Sequence, residues 1–171
     1  MVANLVHRQE MEVEVEFYSF ALQEADDNLV PSPFPEGSES GNFLSFRERR
    51  IDIESGGHTH TASLTAEAWD SEPRKDASGG WEAEGEGEIE SLTGELTICQ
   101  MMGNSGTYIR LGRPHTIWKA RVQCSGREAV HQLAQVDVPV GVEQYLVQLW
   151  PTDEGHPAQV LKRYPEPLPG G

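Results

Sequence analysis

Apolar and polar residues alternate along most of this chain with a period of two. That is the spacing of a strand with one face buried. Between Met11 and Leu22, Val13, Val15 and Phe17 share one face and Glu12, Glu14 and Glu16 the other. Between His58 and Trp69, Ala62, Leu64, Ala66 and Ala68 oppose Thr61, Ser63, Thr65, Glu67 and Trp69. From Trp81 to Glu90 the alternation is strict. Trp81, Ala83, Gly85, Gly87 and Ile89 face one way, and Glu82, Glu84, Glu86, Glu88 and Glu90 the other. Phe43–Glu54, Leu92–Met101, Thr107–Leu111, Ile117–Cys124 and Tyr145–Trp150 read as further strands.

Breakers separate these runs. Pro31, Pro33, Pro35, Gly37 and Gly41 make Asp26–Gly41 a long loop. Gly56-Gly57 reads as a turn, Glu72–Gly80 as a polar connection, and Gly103-Asn104-Ser105-Gly106 as a hairpin turn. Ala129, Val130, Leu133 and Ala134 recur at helical spacing, which predicts one short helix over Arg127–Gln135. Pro151 ends the last strand, and the proline-rich stretch after it reads as irregular. These signals predict an all-β fold, an antiparallel β-sandwich or barrel of about 7–9 strands with at most one short helix. We expect an N-terminal extension over residues 1–10, one domain over 11–151, and a tail over 152–171.

Charge narrows the function. Among 171 residues, 28 are acidic and 13 basic, a formal net charge of −15. Such a field repels phosphates, which argues against a nucleic-acid partner. No apolar run approaches the roughly 18–20 residues that span a bilayer. Met1–Glu10 lacks the apolar core of a signal peptide, so we expect a cytoplasmic chain. In that setting Cys99 and Cys124 are expected to be reduced thiols acting as small hydrophobes.

Two features carry candidate chemistry. His58 and His60, at i and i+2 on a strand, would point to one side and could share a divalent metal. Cupins use such a pair with a glutamate close behind, but here Glu67 follows too far along the strand. The second feature is the glutamate ladder of residues 82 to 90. It reads either as a solvated face or as an acidic patch for a basic partner. Five like charges in line repel unless bases offset them, and Arg47, Arg49 and Arg50 are candidates for that role. No serine sits in a Gly-x-Ser-x-Gly turn, and no glycine-rich phosphate loop opens a helix. Trp69, Trp81, Trp118 and Trp150 read as core or barrel-lining residues.

The order of several segments resembles a known family. Val15-Glu16-Phe17-Tyr18 is followed by Ala66–Pro73, by Trp81-Glu82 with Ile89–Leu96, by Gly106–Arg110, and by Glu143–Pro151. This order resembles small bacterial β-sandwich proteins distantly similar to competence protein J, which is regarded as the inhibitor of a competence nuclease. The resemblance spans about residues 11 to 151 and carries no catalytic motif. It implies a cytoplasmic, non-enzymatic β-sandwich of inhibitor type.

Together these observations favour a non-enzymatic acidic interaction module without a cofactor. It would bind a basic protein partner through Glu82, Glu84, Glu86 and Glu88, as an inhibitor or immunity-type protein does. The alternative is a small-molecule-binding β-barrel or an enzyme built on one, with a cupin-like metal at His58 and His60 or a cyclase-like pocket.

Overall fold

A computed structural model describes residues 2–31, 42–78, 80–101 and 103–152, with the backbone of 162–164. The strands are β1 (Leu5–Glu16), β2 (Ser19–Glu24), β3 (Leu44–Arg47), β4 (Arg50–Glu54), β5 (Thr59–Trp69) and β6 (Ala83–Ser91). They continue with β7 (Glu95–Gln100), β8 (Gly103–Arg110), β9 (Thr116–Ser125), β10 (Val140–Thr152) and β11 (Lys162–Tyr164). One helix, α1 (Arg127–Leu133), links β9 to β10.

The alternation builds two layers. The first runs β11-β6-β9-β10-β5-β1, and the second runs β3-β4-β2-β7-β8. All pairings are antiparallel except β10 on β5, which is parallel. Inward residues of the first layer include Val13, Val15, Leu64, Ile89, Trp118, Val122, Tyr145 and Leu149. They meet Phe20, Leu22, Ile51, Ile53, Leu96, Ile98 and Ile109 of the second in one continuous core. Burying each such aliphatic side chain contributes about 1.5–3 kcal/mol.

The layers nearly close into a barrel. On one side the Gln9 amide stands in for a strand pairing. Its Nε2 donates to Tyr108 O at 2.9 Å, and Arg110 N donates to its Oε1 at 2.7 Å. On the other side the Phe46 ring of β3 packs on Gly87 of β6, where a Cβ would lie 2.3 Å from the ring. Arg49 Nε donates to Glu90 Oε1 there, at 2.8 Å. The glycines of the ladder strand leave room for this approach.

Several boundaries differ from the sequence reading. The run from Met11 to Leu22 breaks at Phe17 and Tyr18, both at positive φ (53° and 62°), and a tight hairpin forms. Phe17 is therefore 58% exposed rather than in the core. Residues 5–10 are no extension but half of β1, paired along β5. Of the tail, Thr152 ends β10 and residues 162–164 pair with β6, while the rest lies outside the described residues.

Phe43–Glu54 is a hairpin, with Arg49 at φ 59° in its turn. β7 ends at Gln100, and Gly103, expected in a turn, is already the first residue of β8 and pairs with Gln100. Asn104-Ser105-Gly106 instead forms an irregularity within β8, where the register shifts and Asn104 Oδ1 accepts from Gly106 N at 2.7 Å. The loop after β2 begins with a 3-10 turn over Asp27–Leu29, and 32–41 lie outside the described residues. The helix falls where its periodicity placed it. Cys99 and Cys124 are free, buried, and in different layers.

Two glycines test how tightly the β9–α1 corner is built. Gly126 (φ +78°) and Gly80 (φ +60°) both have left-handed backbones, but a Cβ on Gly126 would lie 2.1 Å from Val142 O, whereas none lies within 4 Å at Gly80. Gly80→Ala is expected to lower stability by about 1–2 kcal/mol, the left-handed penalty alone. Gly126→Ala is expected to cost at least about 3 kcal/mol, because backbone must move as well. Urea unfolding of the two variants gives the comparison.

Candidate functional site

A buried, bonded group of polar side chains lies inside one end of the barrel. Glu143 sits on the inward face of β10, two residues before Tyr145, and is fully buried. Its Oε1 accepts from Ser55 Oγ at 2.7 Å and from Tyr145 OH at 2.7 Å. Its Oε2 accepts from Gly56 N at 2.7 Å. Ser55 donates its proton to Glu143, so its oxygen accepts from Gly57 N at 3.1 Å and from His60 Nε2 at 2.8 Å. This places a proton on His60 Nε2.

Burial pushes the His60 pKa down, and the partial compensation from Glu143 does not restore it. Burial likewise raises Tyr145 and Cys124 well above their ordinary values, with Glu143 adding to both. Arg127 supplies the positive charge of this region. Burial disfavours its charged form, but Tyr145, Cys124 and Glu143 outweigh that and hold its pKa up. Its Nη1 donates to Glu54 O at 2.7 Å, and its guanidinium lies over the Phe43 ring at 5.1 Å.

This interior group fixes the surface above it. Glu143 holds Ser55 and Gly56, and His131 Nδ1 of α1 approaches Gly56 O at 3.1 Å. A Cβ on Gly56 would meet Arg127 O at 2.5 Å, and one on Gly57 would meet His60 Cδ2 at 2.8 Å, so both positions require glycine. The loop so held clamps the β1–β2 hairpin: Ser55 N donates to Tyr18 O at 2.7 Å and Tyr18 N to His58 O at 3.0 Å. At the tip, the Phe17 and Tyr18 rings flank the exposed His58 edge-on, with centroids 4.9 and 5.2 Å away. Two consecutive bulky residues at positive φ each cost about 1–2 kcal/mol. The clamp is what holds them there.

The predicted histidine pair is split by this arrangement. His58 precedes β5 and is exposed, its Nδ1 2.8 Å from Thr59 Oγ1. His60 points into the core and is bound to Ser55. Among the described residues, no group of three His, Cys, Asp or Glu side chains is placed to hold a metal ion. Nor does the interior group form a nucleophilic triad. In a triad the carboxylate holds the imidazole nitrogen remote from serine. Here Glu143 binds serine itself and lies 3.6 Å from the same Nε2, while His60 Nδ1 has no hydrogen bond.

The glutamate ladder is not an open stripe. Glu84 and Glu88 are buried. Glu82 Oε2 accepts from Arg127 N at 2.7 Å and so caps α1, whose N-terminal Gly126 has no side chain to do it. Glu84 pairs with Lys75 at 2.5 Å and accepts from Gln123 at 2.9 Å. Glu86 accepts from Arg121 Nε at 2.8 Å. Glu88 stands opposite Lys119 across the β6–β9 ladder. The offsetting bases come from β9 and from the β5–β6 connection. Of the three arginines expected to serve, Arg49 reaches Glu90, while Arg47 and Arg50 pair with Asp52. A run of outward carboxylates does stand in the open on β1: Glu10, Glu12 and Glu14 are all exposed, opposite Thr65, Ser63 and Thr61 of β5.

Glu24 forms a second buried centre. Its Oε1 accepts from Ser91 Oγ, Leu92 N, Thr93 N and Thr93 Oγ1 at 2.8–3.0 Å, and Oε2 accepts from Asp26 N. Burial alone would raise its pKa, but these donors together hold it below the ordinary value.

Sequence reasoning missed Glu143, Ser55, Tyr145 and Arg127. One signal was present. Glu143 occupies the same face as Tyr145, Val147 and Leu149, a carboxyl group at an inward position of an apolar strand.

The described residues thus form a nearly closed, two-layer all-β barrel with a buried polar group at one end. Two solved structures share this fold. One is ComJ from Bacillus subtilis, described as the inhibitor of the DNA-degrading activity of NucA, with a TM-score of 0.58 and 12% identity over 89% of this chain and 100% of that one. The other is the protein of crocagin biosynthetic gene J, with a TM-score of 0.59 and 10% identity over 88% of this chain and 99% of that one. No family model matches the chain, and no curated protein matches it in sequence.

The two buried centres predict a distinct acid response. The folded pKa of His60 is depressed, so the unfolded state binds the extra proton. Its contribution is complete above about pH 6.5, the ordinary imidazole value, and is lost as pH falls below that. The folded pKa of Glu24 is also depressed, so its contribution goes later, below about pH 4.3. Urea titrations at successive pH values should show both phases, and His60→Asn should flatten the first. Glu143→Gln places an amide against three donors and is expected to cost about 2–4 kcal/mol at neutral pH.

Proposed function

We propose that this chain is a non-enzymatic protein-interaction module of inhibitor type whose partner is a basic protein. The observation that carries the reading is the shared fold with ComJ across nearly the whole of both chains. Charge supports it. A net charge of −15 steers a protein onto a basic surface and speeds encounter. The site chemistry also supports it, because Ser55, His60 and Glu143 are buried within a bonded group, where they serve the scaffold. In this reading the ladder strand is mostly neutralised internally, and the exposed carboxylates of β1 carry more of the outward field. Among the described residues no helix is long and apolar enough to cross a membrane.

The test is titration of the purified chain into DNA-degradation assays with a panel of basic endonucleases, a NucA-type enzyme among them, at low and high salt. Stoichiometric inhibition of at least one nuclease is expected, with association slowed by about tenfold or more as salt rises. Full nuclease activity at low salt across the panel, with no complex on size-exclusion chromatography, would overturn the reading.

A further inference from the structure

We infer that the β1–β2 hairpin tip is the docking surface for that basic partner, and that it takes arginine side chains. The inference deepens the interaction-module reading and rests on it. Tight two-residue hairpins ordinarily carry Asn-Gly or Asp-Gly, because both central residues need positive φ. Here Phe17 and Tyr18 occupy those positions, at φ 53° and 62°. Folding gains little from their rings, which remain 58% and 39% exposed. Their main ring neighbour, His58, is itself exposed. The tip is nonetheless held rigid by two backbone bonds to residues 55–58, a segment anchored on buried Glu143. Rigid, exposed aromatics on a clamped support are what an interface hot spot needs, because little order has to be created on binding.

Charge identifies the occupant. Glu10, Glu12, Glu14 and Glu16 run along the outward face of β1 into the tip, spaced about 6.6–7 Å apart. Glu10 is paired with Arg8, whereas the side chains of Glu12 and Glu14 make no ion pair among the described residues. Aromatic faces beside free carboxylates favour a cation that is planar, stacks on rings and bonds carboxylates in a bidentate way. Guanidinium meets all three conditions and ammonium does not.

The experiment uses the full chain with nona-arginine and nona-lysine peptides, reading affinity by calorimetry and location by NMR. The arginine peptide is expected to bind at least about threefold more tightly, with shifts centred on Phe17, Tyr18, His58 and Glu14. The double variant Phe17→Asn, Tyr18→Gly should lose that preference while its thermal midpoint stays level or rises. Phe17→Leu, which keeps an apolar side chain but no ring, should weaken the preference without disturbing the fold. Glu12→Gln with Glu14→Gln should weaken both peptides, the arginine peptide more, because bidentate pairing is lost along with the charge. A preference that survives in the folded ring variants, or shifts centred away from the tip, would overturn the inference and leave the basic-partner reading standing. Absence of binding by either peptide at low salt would instead overturn the reading beneath it.

Discussion

The acceptor role of Glu143 is the interaction on which one whole end of this molecule depends. A carboxyl group without water must find donors, since an unpaired buried charge costs several kcal/mol. Glu143 finds three, from Ser55, Gly56 and Tyr145. Each tie has a further consequence. Ser55 orders His60 and Gly57, and Gly56 brings the β4–β5 loop against α1. The same loop then clamps the β1–β2 hairpin. A group that looks catalytic in composition is, by its geometry, a fastening between the core and a surface tip.

Two strands with the same alternation of glutamates meet opposite fates. On β6 the outward carboxylates face Arg121, Lys119 and Gln123 of β9 and are overlaid by the connection that carries Lys75. On β1 the outward carboxylates face threonine and serine of β5 and stay in solvent. Periodicity states which side of a strand a residue is on. It does not state what lies over that side, because this depends on which strands become neighbours and where loops fold back. The outward carboxylates Glu10, Glu12 and Glu14 of β1 are therefore exposed, while Glu84 and Glu88 of β6 are buried.

The strands of this barrel were largely legible because burial of one sheet face imposes a period of two, and Val13, Val15, Leu64, Ile89 and Leu149 obey it. The single helix was legible for the corresponding reason. What escaped were features set by distant partners. The parallel pairing of β10 on β5 joins segments far apart in the chain and leaves no local mark. The hairpin at Phe17-Tyr18 defies turn chemistry and was read as continuous strand. The glycine turn expected at 103–106 became an irregularity because β8 had to stay paired with β7 past it. Ser55 and Glu143 lie 88 residues apart, and no spacing rule relates them.

The Gln9 amide has a role of a different kind. Within each layer neighbouring strands are joined by runs of backbone bonds. Where β1 passes β8, two bonds to one side chain do that work. A barrel cannot unroll while its wall is continuous, so its weakest join sets where it first parts. Two joins between the layers are made by side chains: Gln9 on this side, and Phe46 on Gly87 with the Arg49–Glu90 pair on the other. The wall thus closes along two seams that side chains, not strand pairing, hold together.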